Sequence, residues 1–300
     1  MRMDPIDLKI VQQLDRNCRD SFAFIGGIVG VSARTVQRRV ARMLRTGFIR
    51  SFEVLVDASA LDLGEAVCDI QVKADAKKEE VRNRLLEIAN VNEVISLAGG
   101  SFVVYAYYRD SGDLESVLSR MSATAGVADV QYELNPRTGE RSPRLSRQSW
   151  AIIQSLNHRA RRESSDIAAE AGLSGRTVQR NIKWLSDTNA VRFGVDVDLS
   201  KAQDLFIYVL VVRLQLGLGK VKILEQVRNL VGNVWRELRT VNPHTLILVL
   251  YAERTAELER DVETIRLVSG VAGVRVLIIT GDRRDSRFLD SKLAERAQKR

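Results

Sequence analysis

Three hundred residues, 45% hydrophobic and 28% charged, supply enough apolar material for two or more packed cores and argue against a disordered chain. A formal net charge of +8 favours a polyanionic partner, because neutralising phosphates releases counterions. Two cysteines (Cys18, Cys68) and two histidines (His158, His244), far apart in sequence, leave neither a disulfide framework nor a metal-ligand set; no apolar run is long enough to span a bilayer, and the first residues have no apolar signal core, so a cytoplasmic protein with no cofactor and no membrane partner is expected.

Asp4-Pro5 opens the first expected helix, an N-cap followed by the residue best suited to the first helical position, and Leu8, Val11 and Leu14 then share one face. A second short helix is expected over 22–29. Gly30-Val-Ser supplies a tight turn, and Ser32 caps a third helix in which Val36, Val40, Met43 and Leu44 form an apolar stripe. The opposite face carries Arg34, Gln37, Arg38 and Arg42, and Gly47 stands where a left-handed residue ends a helix. Three helices on short turns, the third with a basic outer face, describe a helix-turn-helix. Arginine pairs with guanine edges and glutamine with adenine, either can hold phosphates, and Ser32 and Thr35 at the helix start are counted among the expected DNA contacts.

Downstream the period changes to two. Ala66, Cys68, Ile70 and Val72 alternate with Asp69, Gln71 and Lys73, as in a half-buried strand. A helix over 79–89 turns Val81, Leu85 and Ile88 inward, strands follow over 91–97 and 102–108, then a helix through Leu114, Leu118 and Met121 and a strand over 127–134. The order βαββαβ is that of a ferredoxin-like module with helices on one face of an antiparallel sheet. Its bare face, with Tyr105 and Tyr107, is expected to meet another sheet, that of the other half of the chain.

The pattern then recurs. Ser32-Ala-Arg-Thr-Val-Gln-Arg38 returns as Ser174-Gly-Arg-Thr-Val-Gln-Arg180, an offset of 142 that also joins Ile10, Gln12 and Leu14 to Ile152, Gln154 and Leu156, and Gly30 to Gly172. Ser146 caps, Trp150, Ile153 and Leu156 line a face, Asn189 takes the place of Gly47, and the outer face of the third helix carries Ser174, Arg176, Thr177, Gln179, Arg180 and Lys183. Gly126-Val-Ala-Asp-Val130 returns at an offset of 144 as Gly270-Val-Ala-Gly-Val274, within strands expected over 205–214, 234–239, 245–251 and 271–280. The expected class is therefore α+β: two winged helix-turn-helix domains, each followed by a βαββαβ ferredoxin-like domain. The expected boundaries are 1–50 and 51–135, a linker over 136–145 rich in Pro, Gly, Ser and Arg, then 146–192 and 193–281, with a basic tail over 282–300. Arg39, Arg42 and Arg45 become Asn181, Trp184 and Asp187 in the second copy, so the first unit is expected to carry more of the electrostatic affinity for DNA.

Val31-Ser-Ala-Arg-Thr-Val-Gln-Arg-Arg-Val40, Leu44, Gly47-Phe-Ile49 and Leu61-Asp-Leu-Gly64 resemble the recognition helix, wing and module entry of the Lrp/AsnC family of transcription regulators. The resemblance implies a sequence-specific regulator of double-stranded DNA that is not an enzyme. Members of that family usually carry one copy and pair two chains; fusion of both copies implies a built-in pseudo-dimer, with room for further homo-oligomers. The family's effector segment is matched by Gly99, Gly100 and Phe102, but Val103 stands where an aspartate is usual and Val241-Asn-Pro-His-Thr-Leu246 has lost the glycine, so a small-molecule effector, if there is one, is not expected to be a free amino acid. Two other readings stand beside this one: an architectural chromatin protein, and an enzyme similar to the sirohaem decarboxylases that share the two-module architecture.

Overall fold

The computed structural model describes residues 2–135, 144–188, 190–217, 219–238, 240 and 242–298. In chain order it forms α1 (Pro5–Arg16), α2 (Phe22–Val29), α3 (Ala33–Arg45), β1 (Ile49–Val56), β2 (Gly64–Val72), α4 (Lys78–Leu86), β3 (Val91–Leu97), β4 (Phe102–Tyr108), α5 (Ser111–Ala123) and β5 (Val127–Leu134). It continues with α6 (Arg147–Leu156), α7 (Ser164–Ala171), α8 (Gly175–Asp187), β6 (Val191–Val197), β7 (Phe206–Leu214), α9 (Lys220–Leu230), β8 (Val234–Leu238), β9 (Thr245–Ala252), α10 (Thr255–Arg266), β10 (Val271–Arg284) and α11 (Arg287–Gln298). Most of the expected linker, residues 136–143, and Asn189 lie outside the described residues. Among the described residues no helix is long and apolar enough to cross a membrane. The chain divides into two compact units, one of helices with a two-stranded ribbon and one built on a sheet.

The helical unit takes in α1–α3, β1, α6–α8, β6 and α11. Its helices begin where capping chemistry dictates: the Asp4 carboxylate accepts from the Asp7 amide, and Ser21, Ser32, Ser146 and Ser174 each accept from an amide three residues on. Gly30 (φ +80°) and Gly172 (φ +65°) end α2 and α7 in the left-handed conformation that glycine adopts without strain. Leu8, Val11, Leu14, Ile25, Val36, Val40 and Met43 form the buried interior of the first helical set, and Ile152, Ile153, Leu156, Ile167, Val178, Ile182 and Leu185 that of the second. Leu44, expected in the buried stripe, is 40% exposed. At 3.6 residues per turn, eight residues carry it about 80° round the helix from Val36, off the edge of the stripe, whereas Met43 returns to within about 20°.

Two features of this unit differ from the sequence reading. Residues 51–56, assigned to the first ferredoxin-like module, belong to β1, which pairs antiparallel with β6 in a separate ribbon, Phe52 opposite Val195 and Val54 opposite Phe193. The backbone of each strand needs a ladder partner, and each finds it in the other strand. Within the expected basic tail, residues 282–284 extend β10, and α11 packs along α6. Leu293 alone among the residues of α11 is fully buried, too sparse an apolar signal to show a helical period among its charges.

The second unit carries one sheet of eight strands in the order β5-β2-β4-β3-β10-β7-β9-β8, every pair antiparallel. Each half brings a helix-covered core, Cys68, Ile70, Leu85, Phe102 and Met121 in one and Tyr208, Leu210, Val227, Leu248 and Ile265 in the other. Strand β10 joins them: its first part pairs with β7 and, beyond a register shift at Ile279–Gly281, its last part pairs with β3. Two contacts span strands that are not neighbours: Arg275 of β10 reaches Asp69 of β2, three positions away in the strand order, at 3.7 Å, and Thr240 lies 3.4 Å from Glu133 of β5. Burial within this layer pushes the Tyr105 and Tyr107 phenols well above their ordinary pKa. Edge pairing through β10 is the element that sequence alone does not announce.

Candidate nucleic-acid interface

Helices α3 and α8 present the same outward chemistry. Ser32 Oγ accepts the Thr35 amide at 3.2 Å and lies 3.0 Å from the Thr35 hydroxyl; Ser174 and Thr177 repeat this at 3.1 and 2.9 Å. These four hydroxyl side chains thus set the start of each helix. Val36 and Val178 point inward, which turns Arg34, Gln37 and Arg38, and Arg176, Gln179 and Arg180, to solvent. Among the described residues none of these six side chains has a hydrogen-bond or ion-pair partner, so two matched Arg-x-x-Gln-Arg faces stand ready for an external acceptor.

Arg42 is placed differently from its sequence-derived role. Asp4 and Asp7 close a capping box at the start of α1, with the Asp7 amide donating at 2.8 Å to Asp4 and the Asp4 amide at 3.2 Å to Asp7. Into this box Arg39 donates to Asp4 at 2.6 Å and to Asp7 at 2.8 Å, and Arg42 donates to the other oxygen of Asp7. Burial pushes the Asp4 carboxyl up, but the Arg39 hydrogen bond and the Asp7 amide outweigh it and hold its pKa below the ordinary value, while the two carboxylates raise that of Arg39. Two arginines and two aspartates thereby cancel. At the positions 142 residues further along, Ser146, Ser149, Asn181 and Trp184 stand in place of the charged tetrad and make neutral contacts, Asn181 Nδ2 donating to Ser149 Oγ at 3.3 Å. On the outward face the two helices therefore differ in charge chiefly at Arg45, which has no partner among the described residues, against Asp187, which holds Lys183 at 2.7 Å.

The other sequence-derived site does not converge. Gly99 (φ +85°) and Gly100 (φ +94°) form the turn between β3 and β4, with open space around both, whereas Phe102 is fully buried in the sheet core beneath Lys78, whose Nζ lies 5.5 Å from the ring centre. A residue missed from sequence is His158, at φ +58°, whose Nδ1 lies 2.9 Å from Glu53 and whose Nε2 lies 3.1 Å from Asp290, linking β1, the α6–α7 turn and α11. Nothing in the composition of three such distant segments announces it.

The AsnC-type helix-turn-helix domain matches residues 3–44. The HTH-type transcriptional regulator Rv2324 of Mycobacterium tuberculosis is 33% identical over 128 residues, which are 42% of this chain and 86% of that protein. The chain belongs to the Lrp/AsnC family. Like that regulator, the HTH-type transcriptional regulator AldR of Mycolicibacterium smegmatis, 30% identical over 138 residues, aligns over less than half of this Lrp/AsnC protein (44%) while 80% of its own length is covered. The protein is a DNA-binding transcriptional regulator with a mixed α+β fold. Over its whole length it is similar to the siroheme decarboxylase NirDL, with a TM-score of 0.57, 16% identity and 97% of each chain covered, a likeness of fold alone.

Proposed function

We propose that this Lrp/AsnC protein is an internally duplicated, cytoplasmic, non-enzymatic regulator that recognises specific sequence in double-stranded DNA as a fused pseudo-dimer. In this reading residues 1–50 and 146–192 are the two DNA-binding domains, and 51–135 and 193–281 the two ferredoxin-like modules, apart from the strands exchanged between copies. The observation that carries it is the pair of unpartnered outward faces, Arg34, Gln37 and Arg38 on α3 and Arg176, Gln179 and Arg180 on α8. Arginine supplies a bidentate fork for guanine and glutamine one for adenine, and one chain would read two half-sites about one helical turn, or a multiple, apart. Ser32, Thr35, Ser174 and Thr177 would meet phosphates at the helix starts, and Lys183 would reach one by exchanging its Asp187 partner for it. Arg42 has no place at the DNA in this scheme, because it neutralises Asp7.

A small effector remains part of the proposal only as a ligand of the exposed backbone turn Gly99–Gly100, since Phe102 is enclosed in the core. Further homo-oligomers would form through surfaces outside the two recognition faces. The test is a binding titration with a duplex selected from random sequence: replacing Arg34 and Arg38, or Arg176 and Arg180, by alanine weakens binding by about 1–3 kcal/mol for each base-reading arginine and erodes preference over competitor DNA. Uniform weakening on all sequences would favour an architectural role, and unchanged affinity would refute the reading.

A further inference from the structure

In the helical unit, the loops that follow α1 and α6 exchange arginines. Arg19 donates through one nitrogen, Nη1, to the carbonyls of Ala160 and Arg162, and its counterpart Arg161 donates likewise to those of Cys18 and Asp20. The ribbon beneath repeats the exchange. The Cys18 amide donates to the Phe193 carbonyl and the Ala160 amide to that of Phe52, both at 2.9 Å. Each guanidinium then lies over the phenylalanine its own loop contacts, Arg19 at 5.9 Å from the Phe193 ring and Arg161 at 5.6 Å from the Phe52 ring.

The correspondence breaks at one place. Phe22 sets a second ring 4.4 Å from Arg161, but the residue aligned with Phe22 is Ser164, and the residue aligned with Leu44 is Ser186. Two large apolar side chains on one side become two hydroxyls on the other. Beside Arg19 this leaves a cleft of about 280 Å³, walled by Arg19, Ser164, Gln179, Lys183, Ser186 and Phe193 among others. On the Arg161 side a ring covers the guanidinium; on the Arg19 side that ring is missing.

We infer that this cleft binds a small aromatic carboxylate, its ring over Arg19 in the place Phe22 takes over Arg161 and its carboxylate toward Lys183. The volume suffices, since a dry cavity of about 150 Å³ accepts benzene. Arg19 is pre-organised by its two carbonyl acceptors, so its planar face is offered without the loss of side-chain freedom that stacking otherwise costs. Nε and Nη2 of Arg19 have no hydrogen-bond partner among the described residues. Asp187 also lines the cleft and takes one of the three donors of Lys183; the other two, with the Ser164 and Ser186 hydroxyls, suit a carboxylate, while Phe193 and Ile182 suit a ring. Because Gln179 and Lys183 belong to the outward face of α8, occupancy would compete with DNA there. That consequence rests on the proposed function; the binding does not.

The experiment is calorimetry on the full chain without DNA, with benzoate as probe and cyclohexanecarboxylate and inorganic phosphate as controls. Benzoate binds at one site and several-fold more tightly than cyclohexanecarboxylate, which offers the charge without the π-face. Ser164→Phe, which rebuilds the arrangement around Arg161, lowers benzoate affinity about tenfold or more, and Ser186→Leu acts in the same direction, each with an unchanged melting temperature. Lys183→Ala weakens binding several-fold. Absence of benzoate binding to the wild type, or binding that Ser164→Phe and Ser186→Leu leave intact, overturns the inference. So does phosphate binding as well as benzoate, which would mark the cleft as a seat for a DNA phosphate. Arg34→Ala with Arg38→Ala leaves benzoate binding unchanged, so failure of the DNA reading and failure of this one are told apart.

Discussion

Arg39 of α3 donates to Asp7 of α1 at 2.8 Å, and the Asp7 side chain is wholly enclosed. The pair locks α3 to α1, with Arg42 closing on the second carboxylate oxygen. Asp7→Ala removes the enclosed carboxylate that both arginines share, leaving Arg39 its bond to Asp4 and Arg42 open to solvent, and should lower stability by about 1.5–3 kcal/mol in urea denaturation. Ser149→Ala, at the place 142 residues on, removes only the neutral contacts of its hydroxyl with Asn181 and Ser146 and should cost about 1 kcal/mol. Equal losses in the two variants would show that the tetrad is not the lock it looks to be.

The same ion pairs change the expected electrostatic asymmetry between α3 and α8. Arg39 and Arg42 are occupied by carboxylates, so the first helix has less spare charge than its sequence suggests. In a salt series on the full chain, Arg45→Ala should reduce the slope of log affinity against log salt by about 0.9, the value for one phosphate contact. Arg39→Ala should leave the slope unchanged while lowering the melting temperature. The full chain is required, because β1 and β6 pair with each other and neither half keeps its ribbon alone.

How much of this was legible in sequence follows from the range of the interactions. Caps, turns and apolar stripes are local, so Asp4, Ser32, Ser174 and Gly30 marked the helices, and the recurrence of Arg-Thr-Val-Gln-Arg marked both candidate faces. Partners distant in the chain leave no such trace. The β1–β6 ribbon, the change of partner along β10 and the Arg42–Asp7 pair each depend on three-dimensional proximity. Arg42 shows the difficulty best: its place on the helix suits an outward cation as well as an inward one, and only the buried carboxylate 35 residues earlier decides.

His158 makes stability depend on pH. Its hydrogen bond to Glu53 raises the pKa to about 9 against the desolvation of the ring, with Asp290 adding to the rise. A folded pKa above the ordinary value of about 6.5 means that the stabilisation is fully present below pH 6.5 and fades as pH rises through 9. The side chain is 42% exposed, so solvent screening reduces the effect to about 1 kcal/mol. His158→Gln should therefore lower the melting temperature at pH 6 and do so much less at pH 10. A variant equally destabilised at both values would remove the imidazolium from the account.

Neither cysteine should behave as a reactive thiol. Cys18 and Cys68 are fully buried, and desolvation pushes both pKa values up to about 12, so almost no thiolate exists at neutral pH. A disulfide-exchange reagent at pH 8 should label the native chain only as fast as it opens, and both thiols at once in denaturant. Rapid labelling of the native protein would contradict the burial.

The central claim is that α3 and α8 each read one half of a single operator. Hydroxyl-radical footprinting of the full chain on its selected duplex tests this most directly, with the Arg34→Ala/Arg38→Ala and Arg176→Ala/Arg180→Ala variants side by side. The account predicts that wild type protects two half-sites about one helical turn, or a multiple, apart, and that each double variant loses protection at a different one. Loss of the same half-site in both variants, or wild-type protection at both half-sites in either, would contradict it.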